Sequence, residues 1–289
     1  GKGQSHKGGS TPAMPTLFLE VDGGKLAYDD AGGKGPLVIC VPGIGDVRSQ
    51  YRFLAPSLAQ VGYRVCTMDL RGTGESDDTF TVYSGEETGK DVLALIRHLN
   101  TGPAVVIGNS MAAGSAVYAA AESPDLVKGV ISLAGFTRDP KINPVLKGLM
   151  SCLMFSPMRN LMWTGYYPGL FVTKPSDFDA HMALVRANLK SAKRSKALAQ
   201  MLLHSHRHSS DRFHKFTAHF LAIMGEKDPD FPSPAMEGEE VATLLRGRST
   251  VIPAAGHYPH MEQPKLVEKE VLAFLATVSP VAGNRLNVG

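Results

Sequence analysis

The sequence predicts an α/β fold: a mostly parallel, doubly wound sheet of eight strands with an all-helical insertion after the sixth. Three observations predict it. Short runs that are apolar throughout, such as Leu37–Val41 and Ala104–Ile107, read as strands buried on both faces. Amphipathic helical patterns alternate with them, as a parallel sheet covered on both sides requires. The alternation stops between Thr137 and Thr217, where helical patterns are broken by Pro and Gly, and resumes at Phe220.

Taken in order, Leu17 to Val21 and Lys25 to Asp30 are two strands joined at the turn Asp22-Gly23-Gly24. Leu37 to Val41 follows and ends at Pro42-Gly43-Ile44-Gly45-Asp46. Tyr51 to Val61 reads as a helix, with Phe53, Leu54, Leu58 and Val61 on one face. Tyr63 to Leu70 is the next strand and runs into the Gly-rich loop Asp69–Ser76. Glu87 to Leu99 is amphipathic through Val92, Leu95, Ile96 and Leu99. A strand at Ala104 and a small-residue helix over 113–121 come next, then a strand over Val130 to Leu133. After the insertion come a strand over Phe220 to Met224, a helix near Met236 to Leu245, a strand over Ser249 to Ile252 and a last helix from Pro264 to Val278. The expected organisation is a core of residues 14–136 and 218–279, a helical lid over 137–217, and a loose tail over 280–289. Residues 1–13 lack an apolar segment and read as an added leader before a native start at Met14.

The 289 residues suffice for one large domain, and the net charge of +3 gives no reason to expect a nucleic-acid partner. No stretch reaches the roughly 18 apolar residues of a membrane span. Cys40, Cys66 and Cys152 are too few and too widely spaced for a disulfide framework, so a reducing, cytoplasmic setting is expected.

The chemistry centres on Gly108-Asn109-Ser110-Met111-Ala112, between a buried strand and a helix. Strand, sharp turn and helix are what a nucleophile elbow needs. Only small residues fit two positions either side of the Ser; Gly108 supplies one, and Ala112 stands where a second Gly is common. An ordinary helix N-cap Ser is the plainer alternative. A Ser hydroxyl is a weak nucleophile until a base takes its proton, and a carboxylate must orient that base. Asp228 follows the strand that resumes the sheet, and His257 follows the next strand behind Gly256, so Ser110, Asp228 and His257 occur in the order this architecture requires. Asp230 and Asp139 are alternatives for the acid, and His260 for the base. The oxyanion of a tetrahedral intermediate needs two donors, expected from the Met111 and Ile44 amides.

At these residues the chain resembles the α/β-hydrolase superfamily. The matching stretches are Val41-Pro42-Gly43-Ile44-Gly45, Asp69-Leu70-Arg71-Gly72-Thr73-Gly74-Glu75-Ser76, Gly108–Ala112, Gly225-Glu226-Lys227-Asp228, and Gly256-His257 followed by Glu262-Gln263-Pro264. Many members carry His-Gly in the oxyanion loop, where this chain has Pro42. The Asp-Leu-Arg-Gly stretch is similar to the branch that holds epoxide hydrolases, dehalogenases, C–C bond hydrolases, lactonases and cofactor-free haloperoxidases. Epoxide hydrolases and haloalkane dehalogenases there use Asp as nucleophile, so Ser110 points away from both. The resemblance implies a cofactor-independent serine hydrolase acting on an ester, thioester or lactone. C–C bond hydrolysis, perhydrolysis and a non-catalytic receptor remain alternatives.

In the insertion, Met150, Met154, Met158 and Met162 recur every fourth residue, with Trp163, Tyr166, Tyr167 and Phe171 behind and Pro157 as a break. They either dock the insertion on the core or line an apolar acyl pocket, for which Met150, Met154, Trp163 and His260 are candidates. The basic run Arg186–Lys196 reads as a solvated face. His204, His206 and His208 alternate without a carboxylate, so no metal is expected there. The expected partner is a small apolar acyl substrate, with oligomeric state left open.

Overall fold

A computed structural model describes residues 14–142, 144–154 and 158–283. The expected leader over 1–13, the kink at Pro157 and most of the expected tail lie outside the described residues. The strands are β1 (Leu17–Val21), β2 (Gly24–Asp30), β3 (Leu37–Val41), β4 (Arg64–Met68), β5 (Ala104–Asn109), β6 (Val127–Leu133), β7 (His219–Gly225) and β8 (Arg248–Ile252). They form one sheet in the order β1-β2-β4-β3-β5-β6-β7-β8. β1 and β2 pair antiparallel, as do β2 and β4; from β4 to β8 every pairing is parallel.

The helices of the core are α1 (Leu54–Val61), α2 (Gly85–Leu99) and α3 (Met111–Glu122). Between β6 and β7 stand α4 (Pro144–Met154), α5 (Arg159–Tyr166), α6 (Phe178–Ala187), α7 (Ala192–Leu203) and α8 (Arg207–Ser210). After them come α9 (Pro234–Leu244), α10 (Pro259–Glu262) and α11 (Pro264–Val278).

Local chemistry explains the boundaries. The Ser84 hydroxyl accepts from Glu87 N–H and starts α2 two residues before the expected Glu87, with Glu86 and Glu87 near its positive end. Asn100 closes α2 in the left-handed region. The helix expected from Tyr51 begins later, at Leu54, because Arg48–Tyr51 forms a separate 3₁₀ turn. Every residue of β3 and β5 is buried, whereas the edge strand β8 is largely open, with only Ile252 fully buried. Two apolar layers result. One includes Leu26, Ile39, Val106 and Val117, and the other includes Val38, Val105, Ile131 and Leu275. Alternate residues of one strand feed opposite layers, as the period of two demands.

The Met pattern does not form one face. Met154 is buried, Met158 is exposed and Met150 is 47% exposed. In the basic run, Arg194 donates to the carbonyls of Gly74 and Ser76, so that part of it is a contact with the Gly-rich loop rather than free surface.

Candidate active site

The carboxyl ends of β3, β5, β7 and β8 deliver four loops to one edge of the sheet, where open α/β sheets place their ligands. The sharpest is between β5 and α3. Ser110 has φ +56° and ψ −123°, a conformation that costs about 1–3 kcal/mol for a residue with a side chain. Its surroundings hold it there. Ser110 N–H donates to Leu133 C=O at 3.0 Å, and Ser110 C=O accepts from Phe136 N–H at 3.0 Å and Ala113 N–H at 3.1 Å. Gly108 is obligatory, because a Cβ there would stand 2.3 Å from Ala112 O. Ala112 itself is fully buried, so a methyl group fits at the second tight position.

The loop after β3 crosses directly above the elbow. A Cβ on Gly43 would lie 3.0 Å from Ser110 Cβ and 2.6 Å from Asn109 Oδ1. Ile44 and Met111 are both buried, and among the described residues neither backbone N–H has a protein acceptor. Buried amides are paired almost without exception, so two without a protein acceptor on the loops that meet at Ser110 stand out.

The loops after β7 and β8 are joined to each other. Glu226 N–H donates to Ile252 C=O at 2.9 Å and Lys227 N–H to Ala255 C=O at 3.0 Å. This brings Asp228 Oδ2 to 2.8 Å from His257 Nδ1, with both side chains buried. Asp228 Oδ1 accepts from Asp230 N–H at 2.9 Å. Burial alone would lower the imidazole pKa, but the Asp228 carboxylate, with Asp230 behind it, outweighs burial and raises it to about 9. Asp230 Oδ2 lies 3.5 Å from the other ring nitrogen, Nε2. The acid and imidazole atoms of Asp228, Asp230 and His257 all fall within 4.8 Å of one another. No hydrogen bond joins Ser110 Oγ to His257 among the described residues. The two loops are linked through Asn109, whose Nδ2 donates to His257 C=O at 3.2 Å and to Leu133 C=O at 3.0 Å. Nucleophile–base bonds are often long before substrate binds.

The other expected residues fall in different places. Asp139 accepts from Ser205 Oγ and His206 N–H and takes no part in the His257 pair. His260 is fully buried and stacks on Tyr51 at 5.0 Å; burial lowers its pKa to about 3. Trp163 does reach the site, since a Cβ on Gly45 would stand 2.5 Å from its indole. Met150 points to solvent on α4, and Met154 is buried on the same helix. His206 stacks on Phe136 at 5.6 Å, and Phe136 stacks on Phe231 at 4.5 Å and lies 6.0 Å from the His257 ring. Phe136, Phe231 and His206 thus form an aromatic wall beside the imidazole. His208 packs edge-on against Tyr118.

Three buried polar residues organise these loops and escaped sequence reasoning. Asp46 accepts from Tyr167 OH at 2.7 Å, His181 Nε2 at 2.8 Å and Gln50 Nε2 at 2.9 Å. Burial opposes its ionisation, but His181, then the Tyr167 and Gln50 hydrogen bonds, hold its carboxyl below the usual range. Asn109 is the second. Glu262 is the third: its two oxygens accept from the N–H groups of Val172, Thr173, Gly256 and Tyr258. Asp69, within the Gly-rich motif, is bound by Arg48 Nη1 at 2.5 Å and braces the turn after Asp46.

Residues 38–270 match the family model described as the alpha/beta hydrolase family. The chain belongs to the alpha/beta hydrolase family. This enzyme is 30% identical over 261 residues to the dihydrolipoyllysine-residue acetyltransferase component of the acetoin cleaving system of Pseudomonas putida, covering 89% of this chain and 68% of the relative. It is 26% identical over 258 residues to 2-(acetamidomethylene)succinate hydrolase of Mesorhizobium japonicum, covering 84% and 89%. Among solved structures it is similar to a thermophilic esterase from Thermogutta terrifontis, with TM-score 0.76, 26% identity, and 92% and 99% of the two chains covered. No helix of the described residues of this hydrolase is long and apolar enough to cross a membrane.

Proposed function

We propose that this alpha/beta hydrolase is a serine hydrolase that cleaves a carboxylic ester, thioester or lactone through an acyl-enzyme. The observation that carries the reading is the Asp228–His257 pair at 2.8 Å, held by Asn109 against an elbow that forces Ser110 to φ +56°. Ser110 Oγ attacks the carbonyl carbon as His257 Nε2 takes its proton. Asp228 fixes the Nδ1–H tautomer and stabilises the imidazolium that forms. The Ile44 and Met111 amides receive the oxyanion. His257 returns the proton to the departing oxygen or sulfur, and a water attacks the acyl carbon by the same route.

The helical segment between β6 and β7 serves as a lid. Tyr167 and His181 anchor it to Asp46, Leu170 C=O accepts from His257 N–H at 2.9 Å, and Trp163 covers the oxyanion loop. With Phe136 and Phe231 on the other side, the acyl group meets an aromatic, apolar enclosure. The kinship with a named hydrolase and an esterase supports the hydrolytic reading.

The test is Ser110→Ala against a panel of short p-nitrophenyl esters, thioesters and lactones. Turnover falls by roughly 10³ or more with the fold intact by circular dichroism, and a fluorophosphonate probe labels the unaltered enzyme alone. Undiminished ester turnover in purified Ser110→Ala would remove the mechanism.

A further inference from the structure

Asp230 stands two residues beyond Asp228, and its Oδ2 lies 3.5 Å from His257 Nε2. Nε2 is the nitrogen that must receive the Ser110 proton. The side chain is held in place: Asp230 N–H donates to Asp228 Oδ1 at 2.9 Å, and the Tyr166 hydroxyl of α5 donates to Asp230 Oδ1. One loop therefore presents a carboxylate to each face of the imidazole. Resting on the serine-hydrolase reading, we propose that Asp230 is a positioning residue: it binds the Nε2–H of His257, keeps that nitrogen from Ser110, and so sets the pH range in which the enzyme turns over.

The two carboxylates act differently. Asp228 binds an N–H that the ring carries in both of its protonation states. Asp230 has a proton to bind only in the charged state, so it selects that state. An imidazolium has no lone pair at Nε2 and cannot accept a proton from Ser110. Its Nε2 proton must first pass to water. Only then does the freed lone pair take the Oγ proton as the Oγ–C bond forms, with that same proton later leaving on the departing group.

The other titratable groups acting on the ring are Glu262 and Tyr258 around α10, and His260 within it; Tyr166 on α5 reaches the site through its hydrogen bond to Asp230, and Asp46 acts on Tyr258 and His260. Glu262 adds to the attraction for the charged ring but spends its oxygens on four backbone N–H groups. Tyr258 packs edge-on at 5.1 Å between ring centroids and offers no carboxylate. Among the described residues, Asp230 is the one carboxylate within 4 Å of Nε2.

The experiment is kcat/KM for p-nitrophenyl acetate from pH 5 to 10 in the full chain, wild type against Asp230→Asn. The wild-type acid limb is expected near 9, the value to which the neighbouring carboxylates raise the imidazole. In Asp230→Asn the limb moves down by one pH unit or more, a gain of roughly tenfold or more at pH 7, since each unit is tenfold in the fraction of free imidazole. Asp230→Ser removes the same charge with a smaller side chain and is held to the same outcome should Asp230→Asn fold poorly. A limb that stays within about 0.3 unit of wild type overturns the proposal. Direct NMR titration of the His257 ring needs no turnover. A ring that titrates lower in the variant, with no ester cleaved by either protein, sinks the hydrolase reading but keeps the ion pair. An unmoved ring sinks the ion pair whatever the esterase result.

Discussion

Asp46→Ala is the most informative single change to the architecture around the elbow. The wild-type carboxylate is fully buried and takes three side-chain hydrogen bonds, two of them from the helical segment and one from Gln50. Each hydrogen bond to a charged acceptor contributes about 1.5–3 kcal/mol, so the three sum to about 4–9 kcal/mol. A water entering the vacated space recovers part of this, which leaves an expected loss of about 4–6 kcal/mol. For 289 residues, with an unfolding entropy of about 2.1 cal/mol/K per residue, that lowers Tm by about 7–10 °C. The sole tryptophan, Trp163, packs on Gly45 next to the lost residue and reports the same event. In urea its fluorescence changes before the far-ultraviolet circular dichroism does, because the helical segment loosens before the sheet. The pH dependence has a definite sign. The folded pKa of Asp46 is depressed, so its stabilisation is complete above the ordinary value of 3.8 and disappears as pH falls through the lower folded value. The gap between wild type and Asp46→Ala therefore closes only in strong acid. A loss under about 1 kcal/mol at pH 7, or coincident transitions by both probes, would refute this account of how the segment is held.

Two further outcomes follow from packing. Gly108→Ala forces a methyl group to within 2.3 Å of Ala112 O, a backbone atom that cannot swing away, and destabilises by about 1–3 kcal/mol or more in urea; it also spreads the elbow and lowers ester turnover. Gly165→Ala, on α5 with nothing within 4 Å of the added atom, stabilises by about 0.5–1 kcal/mol by the same measurement. In an Ellman titration Cys152, which is exposed, reacts in the native protein, while Cys40 and Cys66 react only after unfolding; burial also pushes both of those thiols up and keeps them protonated.

The strands and helices were largely legible because each depends on neighbours close in sequence. Leu37–Val41 and Ala104–Ile107 are apolar from end to end, and α2 carries its own cap and apolar stripe. The elbow was legible too, since Gly108 is demanded by a clash with the backbone of Ala112, four residues on. Asp46, Asn109 and Glu262 were not. Each lies in or beside a motif, but its role depends on partners 135, 148 and 90 residues away, at His181, His257 and Val172. In the insertion, Met150 and Met154 stand four apart on α4, yet one is half exposed and the other buried, because burial there depends on what the helix packs against rather than on spacing.

The sequence by itself determined which segments bury themselves, where the chain turns sharply, and which side chains have the chemistry to attack, accept and donate, because periodicity and steric size act over a few residues. Only the tertiary structure decided which carboxylate meets which nitrogen. Asp228 and Asp230 are equivalent as letters two positions apart, and the joining of the loops after β7 and β8 sends one to Nδ1 and the other to Nε2. Electrostatic interaction depends on distances of a few ångströms between residues far apart in the chain, and those distances exist only once the sheet has brought its carboxyl ends together.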